Sequence, residues 1–194
     1  MESLRDHPPS PQYNVSLLNA HGENVFVSAN VEIRRPHLVS IGNHVAIDSG
    51  LYLTTGAQIG NYVHIGPSVK IIGGRQGLLQ MGDFTNIAVG SKIICVSDTF
   101  RGDGLVTAPG IPLEYTKLII APIVFEDFAN VGANVTIMPG VTLREGTAIG
   151  ACSLVTKSTE PWTIYVGIPA RPVRMRPKDI MIAHAKRLGY HKNS

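Results

Sequence analysis

Aliphatic side chains recur at every sixth position over most of this chain. They are Ile41, Ile47, Leu53, Ile59, Ile65, Ile71, Met81, Ile87, Ile93, Phe125, Val131, Ile137, Leu143, Ile149 and Val155. The recurrence is interrupted twice, by four extra residues in the stretch IIGGRQGLLQ and by more than twenty from Thr99 to Val124. A period of six fits neither the 3.6-residue period of a helix nor the alternation of a simple strand.

A second pattern of small or β-branched residues follows four positions after each aliphatic one, with Leu51 and Arg75 as departures. Turn formers such as Gly42-Asn43 and Gly60-Asn61 stand between the two positions, and such residues accept positive φ at little steric cost. Each hexad therefore predicts a short strand and a corner. Hexads stacked three to a coil form a triangular solenoid that buries one aliphatic side chain per face. A β-sandwich with accidental spacing is the alternative.

The interruptions and the chain ends divide the sequence into segments. Residues 1–24 are interpreted as a polar N-terminal arm, and residues 25–175 as the solenoid, which begins with weaker hexads from Val25 and Val31. Because insertions in a solenoid are extruded, residues 99–124 are predicted to form a loop on a binding face. Residues 176–194 are predicted to form a short helix over Arg176 to Tyr190 that covers the open sheet edge of the last coil.

Composition narrows the class of protein. Charged residues are 16% and aromatic residues 6% of the chain, so the core is built from short aliphatic side chains. Cys95 and Cys152 lack metal-ligand spacing and lie in apolar repeats, where free thiols are usually buried. No apolar run is long enough for membrane insertion, and the first twenty residues do not form a signal peptide, which predicts a soluble, cytoplasmic protein. The basic residues near the C-terminus lack the aromatic interleaving of nucleic-acid binders and suit a phosphate-bearing small ligand.

The hexads read aliphatic, Gly, any, any, small, any, and over about residues 25–175 they resemble the hexapeptide-repeat acyltransferases. The resemblance implies an all-β fold, a left-handed parallel β-helix with an extended loop and a short C-terminal helix. It also implies acetyl-CoA as co-substrate, no metal, and a homotrimer with its sites at subunit interfaces.

Three segments resemble the coenzyme A side of that family: VGANV with MPGV, IGA with VTK, and YVGIPARPV. By this resemblance, Ala133 and Ala151 line the pantetheine path, and the Ala133 N–H is the candidate donor to the oxyanion. Basic side chains there meet phosphates through charge-assisted hydrogen bonds. The implied cofactor-binding residues are Ala133, Ala151, Lys157, Pro169, Arg171 and Arg174.

Shorter segments, including GNYVHI, GDF and Ser97-Asp98, resemble the branch that acts on nucleotide-linked 4-amino-4,6-dideoxy sugars. This implies an N-acetyltransferase for a dTDP-type deoxyamino sugar in surface polysaccharide biosynthesis, such as that of lipopolysaccharide. Ser97, Glu114 and Tyr115 are the candidate substrate-binding residues, and Asp103 and Lys117 are further candidates in the loop.

The choice of nucleophile decides which catalytic base is needed. A sugar hydroxyl requires a strong, well-placed base, and the sugar O-acetyltransferases supply a His in the equivalent of residues 93–116, where this chain has none. An amine attacks unaided and sheds its proton later, so that the carboxylate of Asp98 suffices. Strand alternation directs His64 outward, because Ile65 points inward. Counting hexads puts Asp98 and His64 on different edges of the prism, and we expect them to meet only across a trimer interface.

Three other functions remain open. Sugar O-acetylation or xenobiotic acetylation would use His64 as the base. A γ-type carbonic anhydrase binds metal through three histidines, but His37, His44 and His64 lack matching placement on adjacent coils. A noncatalytic solenoid would only assemble partners.

Overall fold

A computed structural model describes residues 11–190, whose strands form three parallel sheets around one hydrophobic core. Face 1 contains β1 (Ala20–His21), β4 (Val39–Ile41), β7 (Gly56–Ile59), β10 (Leu78–Met81), β15 (Ile123–Phe125) and β18 (Thr142–Leu143). Face 2 contains β2 (Phe26–Val27), β5 (Ala46–Ile47), β8 (His64–Ile65), β11 (Asn86–Ile87), β16 (Asn130–Val131), β19 (Ala148–Ile149), β21 (Thr163–Gly167) and β22 (Ala170–Met175). Face 3 contains β3 (Glu32–Ile33), β6 (Tyr52–Leu53), β9 (Lys70–Ile72), β12 (Lys92–Ile94), β17 (Thr136–Ile137) and β20 (Leu154–Val155).

From β1 to β20, apart from the inserted hairpin, the chain visits the three faces in turn, and each strand pairs in parallel with its counterpart in the next coil. At the end of face 2, β22 pairs antiparallel with β21. Ile47, for example, pairs with Ile65, and Ile65 pairs with Ile87. All fifteen apolar residues of the repeat, including the aromatic Phe125, are buried, between 0% and 5% exposed. The six-residue period therefore places one aliphatic side chain per strand in the interior, as predicted.

The ends of the solenoid differ in detail from the sequence expectation. Parallel pairing begins at β1, inside the segment interpreted as an arm, because Ala20 and His21 pair with Ser40 and Ile41. In the first coil the interior residue of face 2 is Val27, which is fully buried, while Val25 and Val31 lie at corners before their strands. The 3₁₀ turn Pro36–Leu38 interrupts the hexads between the first two coils and explains the change of phase. Residues 1–10 of the predicted arm lie outside the described residues.

The long insertion is a hairpin arm with an ordered base. β13 (Val96–Asp98) pairs antiparallel with β14 (Leu118–Ile120), and a 3₁₀ turn spans Leu113–Tyr115. The solenoid resumes at the fully buried Ile123, one residue before the predicted end of the loop.

The C-terminal helix α1 (Asp179–Arg187) is shorter than predicted and packs elsewhere. It joins a cluster of Phe128, Trp162 and Ala185 on the side of the solenoid. The expectation that it covers the last coil is wrong, because the hairpin β21–β22 occupies the end of face 2 and an aromatic column offers the helix an apolar surface. Residues 191–194 lie outside the described part. No helix within residues 11–190 has the length and apolarity needed to cross a membrane.

Candidate active site

Asp98 lies in a cleft of about 440 Å³ at the edge between faces 3 and 1, which we call the loop edge because the chain insertions at residues 73–77 and 95–122 emerge there. Its Oδ1 accepts hydrogen bonds from the backbone N–H of Thr107 (2.9 Å) and from Thr107 Oγ1 (3.0 Å). Oδ2 has no hydrogen-bond partner among residues 11–190 and remains available to a ligand. The cleft is lined by Ile72, Gly73, Gly74, Arg75, Gln76, Val96, Ser97, Asp98, Thr107, Leu113 and Leu118.

The other predicted substrate contacts lie on the long insertion, and of these only Ser97 lines the cleft. Ser97 is in its wall, although the hydroxyl donates to the Asp98 carbonyl at 3.0 Å. Glu114 and Tyr115 are exposed on the 3₁₀ turn whose first residue, Leu113, lines the cleft. Asp103 is held within the loop by Thr99 Oγ1, and this hydrogen bond lowers the pKa of its carboxyl. Lys117 is exposed at the base of the hairpin.

His64 occupies a separate cleft on face 2. It points outward from β8, and the cleft is bounded by Phe84, Asn86 and helix α1. Its Nε2 lies 2.9 Å from Asp48 Oδ2, and both side chains are partly exposed. Because Asp98 and His64 do not share a cleft, the geometry within one chain agrees with the count of hexads.

The edge between faces 1 and 2, which we call the capped edge, is closed by side chains at every turn. The side chains of Asn43, Asn61, Asp83 and Asp127 each accept a hydrogen bond from a backbone N–H one coil earlier, at 2.7–2.9 Å. Outside this ladder, His44, Tyr62, Phe84 and Phe128 stack with ring centroids 4.6, 4.7 and 5.2 Å apart. Tyr190 packs edge-on against Phe84 and Phe128 and donates to Asp127 at 2.7 Å.

The edge between faces 2 and 3, which we call the open edge, carries Pro67, Val89, Ala133 and Ala151 at the corresponding turns. The carbonyls of Pro67, Val89 and Ala133 each accept a backbone N–H from the next coil, as when Cys152 N–H donates to Ala133 O at 2.8 Å. No residue of the described chain accepts a hydrogen bond from the N–H groups of Val89, Ala133 and Ala151. Gly132 lets the coils approach closely here, since a Cβ would lie 2.7 Å from the Ala151 nitrogen. The open edge thus presents a row of unused donors.

Known proteins with this architecture were found by comparison of sequence and structure. The dTDP-4-amino-4,6-dideoxy-D-glucose acyltransferase of Escherichia coli is 32% identical over 163 residues, which cover 82% of this chain and 83% of the relative. AntD, an N-acyltransferase from Bacillus cereus, was solved in complex with dTDP and 3-hydroxybutyryl-CoA; it matches with a TM-score of 0.87 at 31% identity, over 93% of this chain and 98% of AntD.

A mutant of AntD in complex with dTDP-4-amino-4,6-dideoxyglucose and coenzyme A matches with a TM-score of 0.86 at 32% identity, over 93% and 99% of the two chains. No family model matches the chain. The chain belongs to the hexapeptide-repeat acyltransferases. The predicted left-handed parallel β-helix and the prediction of an acyltransferase are therefore confirmed.

The acyltransferase brings only part of its predicted coenzyme A set together within one chain. The tip of the hairpin β21–β22, which contains the cis peptide Ile168–Pro169, ends at the open edge, where Gly167 N–H donates to Ser153 Oγ at 3.0 Å. Pro169 therefore lies at the end of the hairpin on this edge, and the exposed Arg171, the second residue of the return strand β22, pairs with Val166 there. Arg174 pairs with Ile164, toward the other end of β22. The exposed Lys157 follows β20 and lies at the loop edge, across face 3 from Ala151.

The cysteines also differ from expectation. Cys95 is fully buried, and burial raises the pKa of its thiol to about 11. Cys152 is exposed, contrary to the prediction that both are buried. The reason is its place in the turn, where its φ of 58° matches that of Ser68 and the side chain points away from the interior.

Two residues that make specific contacts in the acyltransferase, Asp48 and Arg176, were not predicted from the sequence. Asp48 pairs with His64 from the preceding coil, two positions after Ala46, the register partner of His64. Arg176 donates to the carbonyls of Phe128 and Gly146 at 3.0 Å, and burial lowers the pKa of its guanidinium. Asp48 could have been found from its position on the outward side of face 2, but that position next to His64 is known only once the register between coils is known. Arg176 was counted among the basic residues near the C-terminus, yet it fastens the C-terminal segment to the solenoid.

Proposed function

We propose that this acyltransferase moves an acyl group from acyl-CoA to the amine of a dTDP-linked 4-amino-4,6-dideoxy sugar. The observation that carries the proposal is the Asp98 cleft, which offers a carboxylate oxygen and no imidazole, in a chain similar to AntD along 93% of its length. A carboxylate suits an amine nucleophile, since the amine needs a proton acceptor only after attack has begun. A hydroxyl would need a stronger base.

The loop edge and the open edge supply the groups that the reaction needs. The amine lone pair attacks the thioester carbonyl carbon, the C–N bond forms, and the carbonyl oxygen becomes an oxyanion. The unused N–H of Ala133 stabilises that oxyanion, in the way that preorganised backbone donors stabilise tetrahedral intermediates. Collapse breaks the C–S bond and releases the coenzyme A thiolate. Asp98 Oδ2 accepts the proton that the ammonium loses, and this proton finally neutralises the thiolate.

The reaction brings the loop edge of one chain to the open edge of another. Because Asp98 and Ala133 lie on different edges of one prism, the proposed site is completed in a homotrimer, with the His64 face at the interface. Lys157, Arg171 and Arg174 then meet the phosphates of acetyl-CoA from neighbouring chains, and Ser97, Glu114 and Tyr115 contact the nucleotide sugar. We place the enzyme in the cytoplasm, in a route to surface polysaccharide.

One observation favours a second candidate, sugar O-acetylation or xenobiotic acetylation. The contact of 2.9 Å between His64 Nε2 and Asp48 Oδ2 forms a carboxylate–imidazole pair on the outward face. A carboxylate can orient an imidazole as a general base for a hydroxyl. This candidate makes His64, and not Asp98, essential.

Thiol release from acetyl-CoA distinguishes the two. The purified enzyme is supplied with dTDP-4-amino-4,6-dideoxyglucose or with its 4-hydroxyl analogue, and the product is identified by mass spectrometry. We expect turnover of the amine, with kcat reduced roughly 100-fold or more in Asp98→Asn and far less in His64→Gln. Glu32→Gln, an exposed carboxylate on face 3 of the first coil, is the control. Turnover of the hydroxyl sugar alone, with loss in His64→Gln, would establish the second candidate instead.

A further inference from the structure

Residues 73–77 form a short protrusion where the third coil passes into the fourth. The N–H of Gly77 donates to Gly73 O at 3.0 Å, and the N–H groups of Gly73 and Gly74 point to Thr54 Oγ1 at 3.2 and 3.4 Å. A Cβ on Gly73 or Gly77 would lie 2.9 or 2.5 Å from Thr55 Oγ1, so the base of the protrusion is tight enough to require glycine. The insertion that breaks the hexapeptide period thus forms a fixed element with Arg75 near its tip.

Arg75 lies in the wall of the cleft that holds Asp98. Its guanidinium is exposed and makes no hydrogen bond or ion pair with any of residues 11–190. Asp98 is oriented by Thr107 and not by this cation. The cleft therefore presents a carboxylate and an unpaired guanidinium at separate points of one surface.

We propose that Arg75 binds the diphosphate of the nucleotide-sugar acceptor and that the protrusion is a specificity element for that substrate. The inference rests on the proposed function, because it requires an acceptor that carries an amine and a diphosphate in one molecule. Asp98 suits the amine end, and the planar fork of a guanidinium suits phosphate oxygens bidentately. A single cleft thus holds complementary groups for both ends of the acceptor.

Coenzyme A also carries phosphates, but Arg75 shares its cleft with Asp98, the group proposed to meet the acceptor amine. Within one chain, the unused N–H groups proposed for pantetheine lie at the open edge, across face 3 from this cleft. Thr107 and Leu113, from the long loop, close the cleft on the side of Asp98. The two insertions that break the period therefore build one pocket together.

Binding of dTDP alone tests the assignment without catalysis. Isothermal titration should give a Kd for dTDP roughly 10- to 100-fold weaker in Arg75→Gln than in the unmodified enzyme, as for lost hydrogen bonds to a charged group. Arg75→Lys should lie between the two, because an ammonium supplies charge without the fork. The Kd for coenzyme A should be unchanged. The control is Arg34→Gln, an exposed arginine paired with Glu32 in the first coil.

Kinetics separate the failure of this inference from failure of the proposed function. In Arg75→Gln we expect the KM for the nucleotide amino sugar to rise while kcat and the KM for acetyl-CoA hold. An unchanged dTDP affinity, or a weakened coenzyme A affinity instead, would overturn the role of Arg75 even where the unmodified enzyme acylates the amine. An unmodified enzyme that binds dTDP through Arg75 but acylates no amino sugar would overturn the proposed function alone.

Discussion

The capped edge and the open edge are built from the same hexapeptide turn but differ in what receives the backbone N–H. At the capped edge, Asn61, Asp83 and Asp127 receive it with their side chains. At the open edge, Val89, Ala133 and Ala151 have no such side chain to offer, and their backbone N–H groups have no acceptor in the described chain. One side chain per turn thus decides whether an edge of the regular solenoid supplies acceptors for its own backbone N–H groups or leaves them without one.

The two edges also differ in how far other parts of the chain cover them. The capped edge carries the aromatic column and is closed by α1 and Tyr190, whereas the open edge ends in the exposed hairpin tip around Pro169. Buried donors without acceptors cost stability, but exposed donors do not. The open edge therefore keeps its donors free at little cost, and a ligand carbonyl can use them.

We expect the largest loss of activity when one N–H donor is removed from the open edge. Pro67 stands at the turn that corresponds to Ala133, and its carbonyl accepts from Gly90 at 3.0 Å as the Ala133 carbonyl accepts from Cys152. Proline is therefore compatible with this turn, and Ala133→Pro deletes an N–H that no described residue uses. If that N–H stabilises the oxyanion, kcat falls roughly 100-fold, measured as thiol release at saturating substrates.

The control for this prediction keeps the N–H. Ala133→Ser introduces a side chain already present at Ser49, the corresponding turn of an earlier coil, and should retain most of the activity. Thermal unfolding of both variants should match that of the parent. Loss of activity in Ala133→Pro together with an equal loss of thermal stability would assign a structural role to the turn and remove the contrast between the edges.

The sequence predicted those parts of the structure that repeat locally. Fifteen apolar positions at a period of six predicted the interior, because each hexad folds against a copy of itself and the register is fixed by burial. The position of α1 was not predicted, since its partners Phe84 and Phe128 are 44 residues apart and come together only after coiling. A signal was present: Gly-Asn-His, Gly-Asn-Tyr and Gly-Asp-Phe place an aromatic ring at the same point of three turns.

The candidate site, too, was predictable only where it belongs to the repeat. Asp98 was placed at a corner by counting, and the structure puts it there, but its orientation by Thr107 arises inside an irregular loop that no period describes. Asp48 and His64 meet because adjacent coils are offset along the sequence. That offset includes the extra residues at the corners, so the six-residue period alone does not give it. Regular segments can be predicted from sequence because their contacts join equivalent positions of successive coils. Contacts within a loop join positions that no repeat relates, so they cannot be predicted in this way.

A smaller effect is expected from opening the capped edge. Asp127 receives the Asp83 N–H at 2.8 Å and the Tyr190 hydroxyl at 2.7 Å, so Asp127→Ala leaves two donors without acceptors. We expect the free energy of unfolding to fall by about 2 kcal/mol, measured by urea denaturation, with kcat unchanged. Asp127→Asn retains an acceptor oxygen and should lose less. A variant of full stability would show that the ladder does not hold this edge together.

The smallest effect concerns accessibility at the open edge. Cys152 is exposed beside Ala151, whereas Cys95 is buried with its thiol pKa raised to about 11, which leaves roughly one part in a thousand as the reactive thiolate at pH 8. A disulfide reagent should therefore label one thiol per native chain and none in Cys152→Ser, whose serine matches Ser68 at the corresponding turn. Saturating coenzyme A should slow labelling of Cys152 severalfold if pantetheine follows the free N–H groups. Unaltered labelling with coenzyme A bound would place the cofactor elsewhere and leave the unused donors of the open edge without a ligand.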